Sequence, residues 1–424
     1  MSREQLLIIG GVAAGLAAAM EARRRAPTLD ITVLERSGDI SYGACGLPYV
    51  ISGVTPMLEQ LSLHSPAYFR ERHQIDLQLH TEALEIFPAR SFVRVRGDGA
   101  ERELAGVFVL RHMEHGRQML AYLNEQRPRA AVVVGAGYIG LELAEAFMRR
   151  GLRTTLIESS ANVMSTIDGR LRDQVIEELH AHGVEVMLGE RVVAFEGGAQ
   201  VERVLTDAGR AVEAQIVCVG AGVTPNAALA ESAGLECGAS GALTVDAEQR
   251  TSAPNVYAAG DCCEVLHRVT GRRVWLPLGQ PAVRQGWVAG ANAAGAQPAE
   301  RYAGVVGTNV VKVFDLEIAR TGLSLAEAQD AGFDAAAAED ESPTRAGYYP
   351  GGGRILTRVI YDRSGRLVGA QMTGREGVAQ RINVYAAALH QQLKVEEINR
   401  LDLAYAPPFA PVIDPILRAT HRKE

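Results

Sequence analysis

The sequence predicts an α/β fold of two Rossmann-like units and a C-terminal α+β unit, and three observations predict it. An apolar run, a glycine-rich turn and a helix-like stretch of small or apolar residues occur twice, at residues 6–25 and 131–150. Each copy leads to a second short apolar strand closed by a glutamate, Glu35 or Glu158, the order that a nucleotide-binding βαβ unit requires. From about Tyr302 the composition changes, and 424 residues suffice for about three units at roughly 150 residues each.

Taken in order, Leu6–Ile9 reads as a strand, Gly10-Gly11-Val12-Ala13-Ala14-Gly15 as a tight turn, and the Ala-rich stretch to Arg25 as a helix stopped by Pro27. Glycines there let the backbone approach a pyrophosphate while the helix offers its first amides. The middle position of the GxGxxG fingerprint is Val12, so this turn by itself fits an ordinary βα turn as well as a nucleotide site. Glu35 suits a ribose diol or simply ends a strand in solvent, and the βαβ context favours the ribose. The second turn, Gly135-Ala136-Gly137-Tyr138-Ile139-Gly140, fits the fingerprint fully. Glu158 suits a free ribose 2′-hydroxyl and repels a 2′-phosphate, favouring NADH, with NADPH left open by Arg153 or a loop cation. Val256–Ala259 reads as a further strand that delivers Gly260-Asp261 to a ligand beyond its carboxyl end. In the last unit Ser324 and Glu327 form a capping box, and Arg354–Ile360 and Leu367–Met372 read as strands around an Arg363-Ser364-Gly365 turn. Ala335–Ala338 is low-complexity and carries no chemistry.

Lys and Arg number 43 against 50 Asp and Glu, a net charge of −7 that supplies no positive field for nucleic acid. With 47% hydrophobic and 22% charged residues, the chain has the composition of a globular enzyme. Its first residues, MSREQLLIIGG, are too short an apolar stretch for a signal peptide or membrane span, so a cytoplasmic protein with no membrane partner is expected. The five cysteines lack metal-ligand spacing, so neither a disulfide scaffold nor a zinc site is expected. Cys218 reads as core, Cys237 as loop and Cys262-Cys263 as two small thiols, while His64, His112 and His115 read as surface. Cys45 differs, because Gly43, Gly46 and Pro48 bracket it in a turn-rich segment near the first nucleotide site. A structural thiol is the default, but a helix N-terminus or a flavin there would stabilise a reactive thiolate.

The first turn, the Ser41–Tyr49 segment, GAGYIG with Glu142, Thr251–Asp261 and Pro277–Ala282 together resemble the flavin-dependent pyridine nucleotide-disulfide oxidoreductases, a glutathione reductase-like family. They are most similar to its single-cysteine branch of coenzyme A-disulfide reductases, NADH oxidases and NADH peroxidases. The resemblance implies an FAD-binding domain from residues 1–108 and 243–298, an NAD(P)H-binding domain at 109–242, and a dimerisation domain at 299–424. It implies FAD contacts from Gly10, Gly11, Ala13, Ala14, Gly15, Glu35, Arg36, Gly260, Asp261, Pro277 and Ala282. NADH would meet Gly135, Gly137, Tyr138, Ile139, Gly140, Glu142 and Glu158, with Tyr138 covering the flavin face until nicotinamide displaces it. Cys45 would be the single redox cysteine, since the partner position of two-cysteine members is Val50. Ala13, where peroxidases of the branch carry histidine, disfavours peroxidase. Tyr348, Tyr349 and Tyr405 resemble the tyrosines that reach the other subunit's cysteine in a homodimer. Arg23 and Arg24, with Ser41, match positions that meet coenzyme A.

The implied activity is reduction of coenzyme A disulfide by NAD(P)H. An NADH oxidase cycling a Cys45 sulfenic acid, a coenzyme A-dependent polysulfide or persulfide reductase, and a non-enzymatic redox-sensing flavoprotein are the alternatives. The chain departs from the family at Gly97–Ala105, which is too short for a further strand with an Ala-Thr-Gly turn and a proline-rich crossover. A true loss of that segment bears on FAD affinity and catalysis.

Overall fold

The computed structural model describes residues 5–87, 92–96 and 105–421. The chain forms two compact units: Met1–Leu47 with Pro56–Arg102 and Val223–Val305, and Pro48–Thr55 with Glu103–Gly222 and Val306–Glu424.

In the first unit β1 (Gln5–Ile9), α1 (Ala13–Arg25) and β2 (Asp30–Leu34) make a βαβ element, with Leu6 opposite Ile31 in the parallel ladder. A 3₁₀ turn at Ala44–Gly46 runs into α2 (Leu47–Ile51), which passes to the second unit after its first residue. Next, β3 (Ile75–Gln78) joins β2 in parallel, and β4 (Glu82–Phe87) pairs with β5 (Phe92–Arg96) as an antiparallel hairpin. Ala19, Ala22, Ile31, Val33 and Ile75 bury the core between α1 and the sheet. Among the described residues β1 is paired on one side only, and Leu7 and Ile9 are each 43% exposed.

The second unit opens with β6 (Val107–Phe108), α3 (Met113–Gln126), β7 (Ala130–Val134), α4 (Tyr138–Arg149), β8 (Arg153–Glu158), α5 (Gly169–Ala181) and β9 (Glu185–Leu188). An antiparallel meander of β10 (Val192–Glu196), β11 (Arg203–Thr206) and β12 (Ala211–Glu213) precedes β13 (Ile216–Val219). The main sheet has order β6-β13-β7-β8-β9 and is parallel throughout. Strands β7 and β13 carry unbroken apolar runs because a parallel sheet is covered on both faces, and Val132, Val133, Ile216 and Val217 are fully buried.

The chain then returns to the first unit through α6 (Ala228–Ser232), β14 (Val265–Leu266), β15 (Arg273–Val274) and α7 (Gly279–Ala293). Here α1 and α7 touch backbone to backbone: a Cβ on Gly286 would stand 2.3 Å from the Ala14 carbonyl oxygen, and one on Gly290 2.1 Å from that of Ala18. The sequence predicts a strand at Val256–Ala259, but only Tyr257 bridges, to Arg250. The described residues offer no ladder beside this segment, and its amides turn back locally, with Ala258 N donating to Gln249 O at 3.1 Å. The Gly97–Ala105 stretch, too short for the family's further strand and crossover, lies except for Ala105 outside the described residues.

The last stretch forms β16 (Asn309–Val313), β17 (Leu316–Gly322), α8 (Leu325–Asp330), β18 (Ala335–Pro343), β19 (Arg354–Asp362) and β20 (Leu367–Gly374). These strands make an antiparallel sheet of order β16-β17-β20-β19-β18, with β20 buried along its length. Ser324 caps α8 as its sequence predicts, accepting from Glu327 N at 3.2 Å while Glu327 Oε2 accepts from Ser324 N at 2.8 Å. The alanine run opens β18 and packs the sheet edge. Helices α9 (Val378–His390), α10 (Val395–Ile398) and α11 (Pro415–Thr420) complete the unit. The fully buried Tyr385 of α9 donates to the Ile416 carbonyl at 2.9 Å. Tyr385→Phe removes this bond, leaving the Ile416 carbonyl to Thr420 Oγ1 at 3.2 Å, and is expected to lower stability by about 1 kcal/mol in urea unfolding.

Candidate active site

The two glycine turns share one construction. After β1, Gly10 takes a φ of +105° and Gly11 N donates to Glu35 Oε2 at 2.8 Å; after β7, Gly135 takes +101° and Ala136 N donates to Glu158 Oε2 at 2.7 Å. A Cβ on Gly15 would lie 1.8 Å from Gly10 O, and one on Gly140 1.8 Å from Gly135 O. Each third glycine therefore lets its helix sit directly on the turn, leaving the first helix amides free for an anion. Each glutamate also holds the chain beyond its strand: Ser37 N donates to Glu35 Oε1 at 2.8 Å and Ser160 N to Glu158 Oε1 at 2.8 Å. Burial pushes the Glu158 carboxyl up, but the Ala136 and Ser160 hydrogen bonds outweigh it and hold the group below its ordinary value. An anionic Glu158 suits a ribose diol and opposes a 2′-phosphate.

Around the first turn, Gly260 packs on Ala14 and Ala282, and its N–H donates to Gln285 Oε1 at 3.0 Å. Asp261 is exposed and its carbonyl accepts from Trp275 Nε1 at 2.7 Å; Arg36 is exposed and Pro277 half-buried. Gly10 and Gly43 have no atom within 4 Å of where a Cβ would stand. This open, amide-lined turn, with Glu35 at its edge and Gly260-Asp261 against its helix, fits the pyrophosphate and adenosine of FAD. The second turn fits NADH by the same features, with open space over Gly137 and an exposed Ile139.

Cys45 is exposed on the 3₁₀ turn and in no disulfide, and Gly46 leaves room for the Leu61 side chain, which a Cβ would meet at 2.3 Å. Ser41 holds this segment to the glycine turn, donating its N–H to Gly11 O at 3.2 Å from a φ of 51°. Arg23 has its three nitrogens on the carbonyls of His73, Gln74 and Pro27 at 2.7–2.8 Å, while Arg24 pairs with Glu21 at the surface.

In the second unit Tyr138 donates to Asn309 Oδ1 at 2.6 Å, and Glu142 accepts from Tyr49 Oη at 3.1 Å. Burial pushes Glu142 up to about 7. Sequence reasoning missed Tyr49, Asn309 and Gln285; only Tyr49 had a signal, its place in the Cys45 segment. Tyr348 is 77% exposed and its hydroxyl lies 3.3 Å from that of Tyr405. That hydroxyl pushes the Tyr405 phenol above its ordinary value, which keeps it a proton donor. Tyr349 lies under the Arg345 guanidinium, which Glu376 holds at 2.5 and 2.9 Å. Arg381 ties the two tyrosine loops together, donating to Thr344 O at 3.3 Å and Phe409 O at 3.0 Å.

The other thiols stand apart: Cys218 on β13 is buried, its thiol pushed up to about 12 by desolvation, and Cys262, Cys263 and Cys237 are half-buried or buried. His64 is exposed, whereas His112 and His115 are half-buried with their rings 3.5 Å apart, deeper than the sequence suggests. Glu178, His182 and Asp315 cluster, but Arg375 already pairs with Glu178 at 2.8 Å and Asp315 at 3.5 Å. No described helix is long and apolar enough to cross a membrane.

Comparison with known proteins agrees with this geometry. The pyridine nucleotide-disulphide oxidoreductase family pattern matches residues 4–107 and 98–286, and that family's dimerisation domain matches 308–415. The first two stretches overlap where the sequence is too short for the family's strand and crossover. A CoA-dependent NAD(P)H sulfur oxidoreductase of Pyrococcus abyssi is 38% identical over 440 residues, covering 98% of this chain and 97% of the relative. A coenzyme A disulfide reductase of Staphylococcus aureus is 30% identical over 429 residues, with 96% of each chain covered. The solved NAD-dependent persulfide reductase of A. fulgidus superposes with a TM-score of 0.94 at 34% identity, covering 98% of this chain and 82% of that one. The chain belongs to the pyridine nucleotide-disulphide oxidoreductase family, and is an oxidoreductase of the kind that works with FAD and NAD(P)H.

Proposed function

We propose that the enzyme reduces coenzyme A disulfide with NADH through Cys45 alone, and the exposure of this thiol, outside any disulfide, is the observation that carries the reading. Val50, buried where two-cysteine members hold a second thiol, leaves Cys45 to take its partner sulfur from the substrate. The Cys45 thiolate attacks one sulfur of the disulfide, forming a Cys45–coenzyme A mixed disulfide and expelling a coenzyme A thiolate. Tyr405, with Tyr348 and Tyr349, protonates that thiolate from the second subunit of a homodimer. Bound FAD supplies the two-electron relay from NADH that reopens the mixed disulfide. Glu158 sets the preference for NADH. Arg24, with its exposed guanidinium, is better placed than Arg23 for coenzyme A phosphates, since Arg23 is already bonded to three carbonyls; Ser41 shapes the approach to Cys45.

A second reading, coenzyme A-dependent polysulfide or persulfide reduction, is favoured by the names of the Pyrococcus horikoshii and A. fulgidus relatives. Anaerobic NADH consumption separates them. The first reading expects fastest turnover with coenzyme A disulfide and a reducible, coenzyme A-sized mass increment on Cys45. Faster turnover with polysulfide transfers the assignment to the second, and no anaerobic consumption with either acceptor, with consumption starting only when air is admitted, overturns both.

A further inference from the structure

Glu142 lies one turn beyond Tyr138 on α4, half-buried, and its partner Tyr49 comes from α2, the helix that continues out of the Cys45 turn. Two contacts fasten α2 to α4 within one compact unit: Tyr49 Oη to Glu142 Oε1 at 3.1 Å, and Arg150 Nε to the Ile51 carbonyl. We infer that Tyr49 is a positioning residue for the nicotinamide site, its hydroxyl holding the Glu142 carboxylate in one orientation and in its charged form. The inference rests on the reading that the GAGYIG turn receives NADH with Glu142 beside its nicotinamide.

The chemistry needs that charge. NADH gives a hydride, two electrons and a proton, to oxidised FAD, and the nicotinamide ring it leaves becomes a cation. A carboxylate fixed beside the ring favours that developing charge, and the protonated acid does not. Burial is the largest influence on Glu142 and places it at about 7, with the Tyr49 donor lowering it and the Glu145 charge raising it. Glu145, one turn further along α4, is itself held by Phe314 N at 2.7 Å, Arg149 Nε at 2.7 Å and Lys312 Nζ at 3.9 Å. Arg150 faces the end of α2 rather than the carboxylate, and Tyr138 is engaged by Asn309. Tyr49 is thus the partner whose removal changes Glu142 with least disturbance of the other charges.

Two measurements on holoenzyme test this: the anaerobic rate of flavin bleaching by NADH, and the affinity for NAD⁺ by calorimetry, each between about pH 5.5 and 9. In the unaltered enzyme both rise as pH passes through the Glu142 value. Tyr49→Phe removes a lowering hydrogen bond, so both midpoints move upward, by about one pH unit. The variant is then several-fold slower near neutrality and equal to the parent at the alkaline end. Glu142→Gln flattens both profiles. A Tyr49→Phe profile superimposable on the parent's, or depressed equally at every pH, overturns the inference. Neither measurement needs a disulfide acceptor, so the result is independent of the substrate assignment. Failure of the parent enzyme to bind NAD⁺ would sink both the inference and the nucleotide reading beneath it.

Discussion

Cys45→Ser is expected to leave flavin bleaching by NADH intact and to abolish disulfide reduction, with kcat falling on the order of 10³-fold or more. The reason is covalent: a serine hydroxyl cannot form the mixed disulfide on which turnover depends, and no other cysteine lies in the Ser41–Tyr49 segment. Cys218 is fully buried with its thiol pushed up to about 12, and Cys263 is buried, its thiol raised first by the Cys262 hydrogen bond and then by desolvation. Because Cys45 is exposed, the substitution deletes no core packing, and the melting temperature should be unchanged. Single-turnover and steady-state assays on one preparation separate the two half-reactions. Undiminished disulfide turnover in the variant would end the Cys45 mechanism.

The second large effect is at Gly140. An alanine there places its Cβ 1.8 Å from the Gly135 carbonyl oxygen, where the obstacle is backbone and cannot rotate away. Either α4 lifts from β7 or the turn opens, and both movements displace the Ala136 amide from Glu158. Gly140→Ala is expected to cost about 1–3 kcal/mol of stability, the range for overpacking a tight site. NADH affinity should fall at least about tenfold, because the amides and carboxylate that meet the nucleotide move together. Calorimetry with NADH and thermal unfolding read the two effects separately. Retained affinity would mean that the turn does not hold the nucleotide. Gly15→Ala makes the parallel test of flavin retention, since its Cβ meets Gly10 O at the same 1.8 Å.

These two turns were legible because their signals are local. Glycines at fixed offsets, a helix pattern and a strand-end glutamate all lie within about 30 residues, where backbone geometry forces the spacing. The Ser324 capping box and the β19–β20 hairpin were legible for the same reason. The Tyr49–Glu142 bond spans 93 residues and the Tyr138–Asn309 bond 171, and no periodicity relates such partners. Arg23 shows the opposite difficulty: by resemblance it matches a position that meets coenzyme A, yet the fold sets it among three carbonyls. Val256–Ala259 has the residues of a strand but no described ladder to join, because strand formation depends on a neighbour that a local pattern cannot supply.

The one-sided pairing of β1 has a colloidal consequence. Among the described residues no ladder covers its other side, beside the exposed Leu7 and Ile9. Such an edge is a template for foreign β-structure. Solubility at high concentration would then be limited by this one strand rather than by global unfolding, and a lysine in place of Leu7 would raise the concentration at which the native protein begins to self-associate.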